Sequence, residues 1–236
     1  MDVRTVLKGL KRTDRATHDA IREVAPGRIA RVRRGVLFHT AGFTVTAGGL
    51  PNQTQMRLYS TGIGTADQGS GVVQTAALTN LLAPHKVESS KAFVGLSMGF
   101  NWWYFTRIAV AVAVQEVQDN YILDIADRTG FSLSITADQQ RLGPSKLWAG
   151  PALTVQGALG NLAGGAQGAA NRVVQSGGGR LDRSIALHEP YSIGPNTTLQ
   201  VNGDIAPVPP AAVPMAGAVV MCTHAFFGYE IDAVSG

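Results

Sequence analysis

Charge is what this sequence has least of. Asp, Glu, Lys and Arg make up 15% of its 236 residues, against about 25% in an ordinary globular protein. Hydrophobic content is 45%, and a chain of this length can bury a full core as one large β domain or two small ones. So sparsely charged a surface suits a protein buried against partners better than a free monomer. The single cysteine, Cys222, excludes an intrachain disulfide and any multi-cysteine metal site. The polar first residues carry no apolar signal-peptide core. The most membrane-like stretch, residues 93–114, is interrupted by Asn101 and Arg107 and alternates in its second half, which argues against a transmembrane helix.

Catalytic signatures are also missing. The five histidines, His18, His39, His85, His188 and His224, are too far apart for any HxH, HxxxH or HExxH metal spacing. His188 and Glu189 are adjacent at a strand end, where successive side chains point to opposite faces. His39 and His224 lie inside alternating strands and read as cross-strand residues rather than ligands. There is no GxSxG elbow, and Cys222 between Met221 and Thr223 reads as a core thiol. "GIGTADQG" (62–69) and "GGAQGA" (164–169) lack the Lys-Ser/Thr that a phosphate loop requires. Asp119, Asp124, Asp127 and Asp138 read as strand rims and turns before they read as a glycosidase pair. Trp102, Trp103, Tyr104 and Phe105 read as an aromatic anchor before they read as a sugar platform. No cofactor and no small-molecule substrate is expected.

The charge that is present is unevenly placed. Residues 1–34 hold ten basic and four acidic residues, net +6, and the remainder holds ten basic and twelve acidic residues, net −2. Val3, Val6, Leu7, Leu10, Thr17, Ile21 and Val24 share one helical stripe, with Pro26-Gly27 as its stop. Residues 2–24 therefore read as an amphipathic basic helix. Either it packs the stripe on its own body, or it is an arm touching a neighbouring subunit, nucleic acid or an anionic membrane. Arg4, Lys8, Lys11, Arg12, Arg15, Arg28, Arg31, Arg33 and Arg34 are the candidate contacts for nucleic acid or membrane.

From residue 35 the period changes to two. Alternating segments at 35–48, 55–64, 91–100, 104–117, 120–127, 130–139, 152–157, 183–189, 197–203 and 217–234 read as strands. In 104–117, Ile108, Val110, Val112 and Val114 share one face and Ala109, Ala111 and Ala113 the other. Residues 65–90 read as a connection with one short helix at "QTAALTNLLA". The Gly/Ala-rich stretch 157–179 reads as a flexible loop or a short helix, and 206–214 as a Pro-rich extended loop. Many short strands with Gly/Pro turns argue for a closed sandwich or barrel.

Three features then resemble the single jelly-roll capsid proteins of icosahedral viruses, particularly phages. They are the basic segment 1–34 ahead of the strands, "EPYSIGPNTTLQV" as a late strand–turn–strand hairpin, and a last strand ending "FFGYEIDAV". The resemblance implies an all-β, jelly-roll-like β-sandwich of about eight to ten strands with an N-terminal amphipathic helical arm. It places the arm at 1–34 and the sandwich domain at 35–236. It implies a virion structural protein without enzymatic activity, assembled in the host cytoplasm. Its partners would be copies of itself, other virion proteins and, through the arm, genome nucleic acid or an internal membrane. A phage tail, receptor-binding or carbohydrate-binding β-sandwich using Trp102, Trp103, Tyr104 or Trp148 is the alternative.

Overall fold

The last strand of the chain lies in the middle of its largest sheet. The computed structural model describes residues 15–24, 30–105, 110–144, 156–157, 166–167, 171–176, 185–195, 197–210 and 215–233. A helix, α1, covers 15–24. The strands β1 (Ala30–Thr44), β2 (Gln55–Leu58), β3 (Lys91–Phe105) and β4 (Val110–Ala111) lead into a second helix, α2 (Val112–Arg128). There follow β5 (Thr129–Ile135), β6 (Asp138–Pro144), β7 (Gln156–Gly157), β8 (Ala166–Gln167), β9 (Asn171–Ser176), β10 (Ile185–Ile193), β11 (Leu199–Ile205) and β12 (Val219–Ala233). The large sheet is ordered β1-β12-β3-β9-β7, and β10 pairs with the other end of the β3 edge that β9 uses. The small sheet is ordered β2-β11-β5-β6. Both are antiparallel and pack face to face, so the chain is a mostly β sandwich with two short helices.

Strict alternation builds the interior. From the large sheet Leu37, Ala41, Phe43, Met98, Phe100, Trp102, Tyr104, Val220, Cys222 and Phe226 are buried, and they meet Met56, Leu58, Phe131, Leu133, Leu199 and Val201 of the small sheet. Phe131 bridges the layers, its ring centroid 4.3 Å from Phe100 and 6.3 Å from Trp102. Fully burying each such side chain contributes about 1.5–3 kcal/mol.

One strand changes face partway along. On β3, Ser97 sits opposite Phe227 of β12, but Gly95 sits opposite Gly228, so Leu96 is an extra, unpaired residue. Above it Met98 and Phe100 point into the core; below it Phe93 does so, and Ala92 and Val94 turn outward. Gly228 is needed here, because a Cβ at that position would run into the Val94 carbonyl. β10 breaks its pairing at the same level, looping out between Ala186 and Tyr191. Pro190, which has no N–H to offer the ladder, lies in that break.

Helix α2 overturns two expectations. The Val/Ala alternation of 108–114 and the segment 120–127 read as strands, yet among the described residues of these two segments only Val110–Ala111 is extended and 112–128 is helical. Gln118, Asp119, Ile122, Ile125 and Ala126 are the buried positions, a spacing that fits 3.6 residues per turn and not two. Asp124 and Arg128 form an i,i+4 ion pair at 2.8 Å, with the cation at the helix C-terminus where the dipole favours it. The Tyr104 hydroxyl donates to Asp119 at 2.7 Å and the Tyr121 hydroxyl to the Gly49 carbonyl at 2.6 Å. No helix forms over 74–83, which holds a turn and two isolated bridges, because its polar side chains are engaged elsewhere. Among the described residues, no helix is long and apolar enough to cross a membrane.

Those side chains cap the edge strand. The outward-pointing backbone of β1 bonds to Asn80 at Val36 and Phe38, to Gln74 at Thr40, to Gln53 and Asp67 at Gly42, and to Asn52 at Thr44. Side-chain amides and one carboxylate thus stand in for a neighbouring strand, one recognised way of blunting an exposed edge.

Asn80→Ala removes both side-chain bonds to β1. The expected result is a loss of ~1 kcal/mol in denaturant unfolding, since solvent replaces part of each exposed bond, with faster hydrogen exchange at the Phe38 amide. Tyr104→Phe takes a donor from the buried Asp119 carboxylate, and a loss of about 1–3 kcal/mol should appear as a lower Tm with unchanged circular dichroism.

Candidate functional site: a buried histidine pair and an apolar outer face

One polar cluster of the interior is made by three elements. His39 of β1 and His224 of β12 are direct cross-strand partners, and both are fully buried. Tyr59 follows β2 with a positive φ of 65°, a conformation uncommon for a residue with a side chain. Its hydroxyl lies 2.9 Å from His224 Nδ1. His39 Nε2 lies 2.9 Å from the Thr61 carbonyl, which can only accept, so Nε2 carries the proton. That leaves Nδ1 of His39 and Nε2 of His224 buried without hydrogen-bond partners. The His224 ring lies 4.7 Å from Phe100 and 4.6 Å from Phe226, centroid to centroid.

Burial therefore holds both rings neutral. It pushes His39 down to about 4, further lowered by the charge of His85. It pushes His224 down to about 3, with His39 adding to the effect. Burial likewise pushes the Tyr59 hydroxyl and the Cys222 thiol well up. Sequence spacing placed His39 and His224 in strands and put Tyr59 and Thr61 in the alternating segment 55–64, but β2 ends at Leu58 and both residues reach the pair from the turn that follows it. Among the described residues, no group of three or more His, Cys, Asp or Glu is placed to hold a metal ion.

The other expected site residues scatter. Trp102 and Tyr104 point into the core and are fully buried, whereas Trp103 and Phe105 stack on the outer face with centroids 6.1 Å apart. Trp148 lies outside the described residues. Glu189 is exposed in the β10 break; His188 is in the same break, and its side chain lies outside the description. Asp119 and Asp124 sit on α2, bonded to Tyr104 and Arg128, and Asp138 is exposed in β6. "EPYSIGPNTTLQV" is strand–turn–strand as expected, with Thr197 N–H donating to the Gly194 carbonyl. It is not a hairpin, because β10 pairs with β3 and β11 with β2 and β5. Burial of Ile193 on one side and Leu199 on the other directs the two strands into opposite layers.

The basic residues divide likewise. Arg4, Lys8, Lys11, Arg12 and Arg28 lie outside the described residues. Arg15 is exposed on α1, and Arg31, Arg33 and Arg34 are exposed on β1, so residues 30–34 are sheet rather than helical arm. Arg33 is bound to Glu230 at 3.0 Å and to Asp232 at 3.3 Å, and Lys91 joins the cluster through Glu88 and Glu230.

The outward side of the large sheet is apolar. Near the Leu96 bulge, α1 packs on it: Ala20 is fully buried with Ala92, Val94 and Ile231, and Ala16, Ile21, Val24 and Leu96 pack around them. Over 15–24, then, the helix buries its stripe on its own body. Glu23 sits against Gly194, where a Cβ would collide with its carboxylate. Further along the same face runs a trough of about 320 Å³ lined by Val36, Phe38, Gly99, Asn101, Thr223, Ala225 and Phe227. Val36 is 41% exposed there. The chain matches no known family model and no curated protein sequence.

The histidine pair gives a signed pH dependence. Both folded values lie below the ordinary 6.5, so the unfolded chain binds more protons in between, and stability falls as pH drops from about 6.5 toward 3. A few kcal/mol per histidine is at stake. Urea midpoints measured from pH 7 to 4 should fall steeply, and His224→Gln should flatten that slope; a flat wild-type profile contradicts the neutral buried pair.

Proposed function

We propose that this chain is a jelly-roll subunit of an icosahedral viral shell of the kind phages build. The observation that carries the reading is strand order. Numbered one to eight along the chain, β1, β2, β3, β5, β6, β10, β11 and β12 fall into sheets ordered 1-8-3-6 and 2-7-4-5. The pairs 1–8, 2–7, 3–6 and 4–5 are those of one long hairpin folded over on itself, the arrangement that viral capsid, lectin and cupin domains share.

Fold alone does not select a function, and three further properties favour the shell. The interior that a cupin would use for a ligand is filled here by Phe100, Trp102, Phe131 and the histidine pair. The surface is poor in charge, and the outer face of the large sheet is apolar, as suits a subunit surrounded by copies of itself. The net charge of +6 on residues 1–34 gives each copy a modest, salt-sensitive attraction for genome phosphates, multiplied over a shell. Copies of itself and other virion proteins are the principal partners, and the virion is the location. The stacked Trp103 and Phe105 favour a second reading, a carbohydrate-binding sandwich of a tail or receptor-binding protein.

Size-exclusion chromatography with light scattering, followed by negative-stain microscopy, tests the choice. Closed shells, pentamers or hexamers are expected, with co-purifying nucleic acid released by salt. A monomer at high concentration overturns the shell reading, and glycan-array binding lost in Trp103→Ala would put the carbohydrate reading in its place.

A further inference from the structure

The described chain starts at residue 15, on α1, and α1 lies on the outer face of the large sheet. Its C-terminal end is fixed near the start of β1. Glu23 rests against Gly194, and only five residues, 25–29, separate the helix from Ala30. The N-terminal end therefore leads away from that corner, and Leu96, the contact nearest the trough, shows on which side the trough begins. From Leu96 to Gly99 on the trough floor is three residues, about 10 Å of strand.

The fourteen residues before α1 include Val3, Val6, Leu7 and Leu10, on the same helical stripe as Ile21 and Val24. Arg4, Lys8, Lys11, Arg12 and Arg15 fall on the opposite side of that helix. Thirteen residues, 2–14, span about 20 Å as a helix, enough to run from Leu96 past the far end of the trough. The trough has the complementary shape: a floor of Gly99 and Ala225 beside the larger Val36, Phe38 and Phe227.

We propose that residues 2–14 of the same chain occupy this trough, laying Val3, Val6, Leu7 and Leu10 on the sheet and turning the basic side outward. The site is continuous with the patch that α1 already covers, and the segment that fills it is tethered at the right end. The sheet face so covered changes from apolar to strongly basic. This inference does not depend on the shell reading, and its test uses the unassembled chain.

The first measurement is thiol labelling of Val36→Cys in the full chain and in the same variant lacking residues 2–14. Cys222 is fully buried and serves as the control for unfolding. Labelling is expected to be several-fold slower in the full chain, with Cys222 unlabelled in both; equal rates overturn the proposal. The second places a photo-crosslinking phenylalanine at Leu10 of the full chain, in a mixture of isotopically heavy and light copies. Cross-links to 36–38, 99–103 or 223–227 within one copy are expected. Cross-links only between copies assign the trough to a second molecule, and none to these strands leaves residues 2–14 elsewhere; either result overturns it.

Discussion

Strand β12 is hydrogen-bonded along its length to β1 on one side and to β3 on the other, with residues 219–233 facing 30–44 and 91–105. Every other part of the sandwich is positioned against that triple ladder. β9 and β10 extend it, α1 lies on its outward side, and the small sheet closes over its inward side. The ladder is also entirely non-local, since the last segment must insert between the first and the third strand. Such topologies fold slowly, because loop-closure entropy is lost before the contacts that offset it are made. The caps along β1 answer the same problem at the edge: the backbone groups of this outer strand are already occupied and less open to pairing with another chain.

The two faces of the large sheet invert the usual division of chemistry. Its inward side holds two histidines and a tyrosine among the aromatic residues, and its outward side holds Val36, Phe38, Ala225 and Phe227. Polar groups inside are tolerated because each ring makes one good bond and is kept uncharged. Apolar groups outside carry no such compensation of their own. The fold thus has a core whose stability depends on pH and a surface whose stability depends on being covered.

Much of this was legible in the sequence where one face of a strand is buried and the other is not. The alternation in β1, β5, β11 and β12 matched, with Phe131 and Leu133 inward and Ser132 and Ser134 less buried. Alternation failed from Val112 onward, because Val and Ala repeat at a period of two even where the backbone is helical; the deciding residues, Ile122, Ile125 and Ala126, come two turns or more later. The helix at 74–83 failed for a different reason. Gln74, Thr79 and Asn80 are committed to the β1 edge, a demand set by a strand some forty residues away. The histidines were visible singly, but their meeting with each other and with Tyr59 depends on register, which composition and local pattern do not carry. The basic segment was visible as charge, and its last five residues proved to be strand because they pair with 229–233.

The extra residue at Leu96 divides β3 into two strands of opposite sense. Beyond it, odd-numbered positions such as Ser97 and Gly99 face outward; before it, the even-numbered Ala92 and Val94 do. A side-chain period of two allows no partial error, so pairing Leu96 in a regular ladder instead of bulging it out would exchange the faces of the whole preceding segment. Phe93 would leave the core for the helix platform, and Val94 would take its place inside. One unpaired position therefore sets the boundary between the part of the strand that belongs to the sandwich and the part that belongs to the helix.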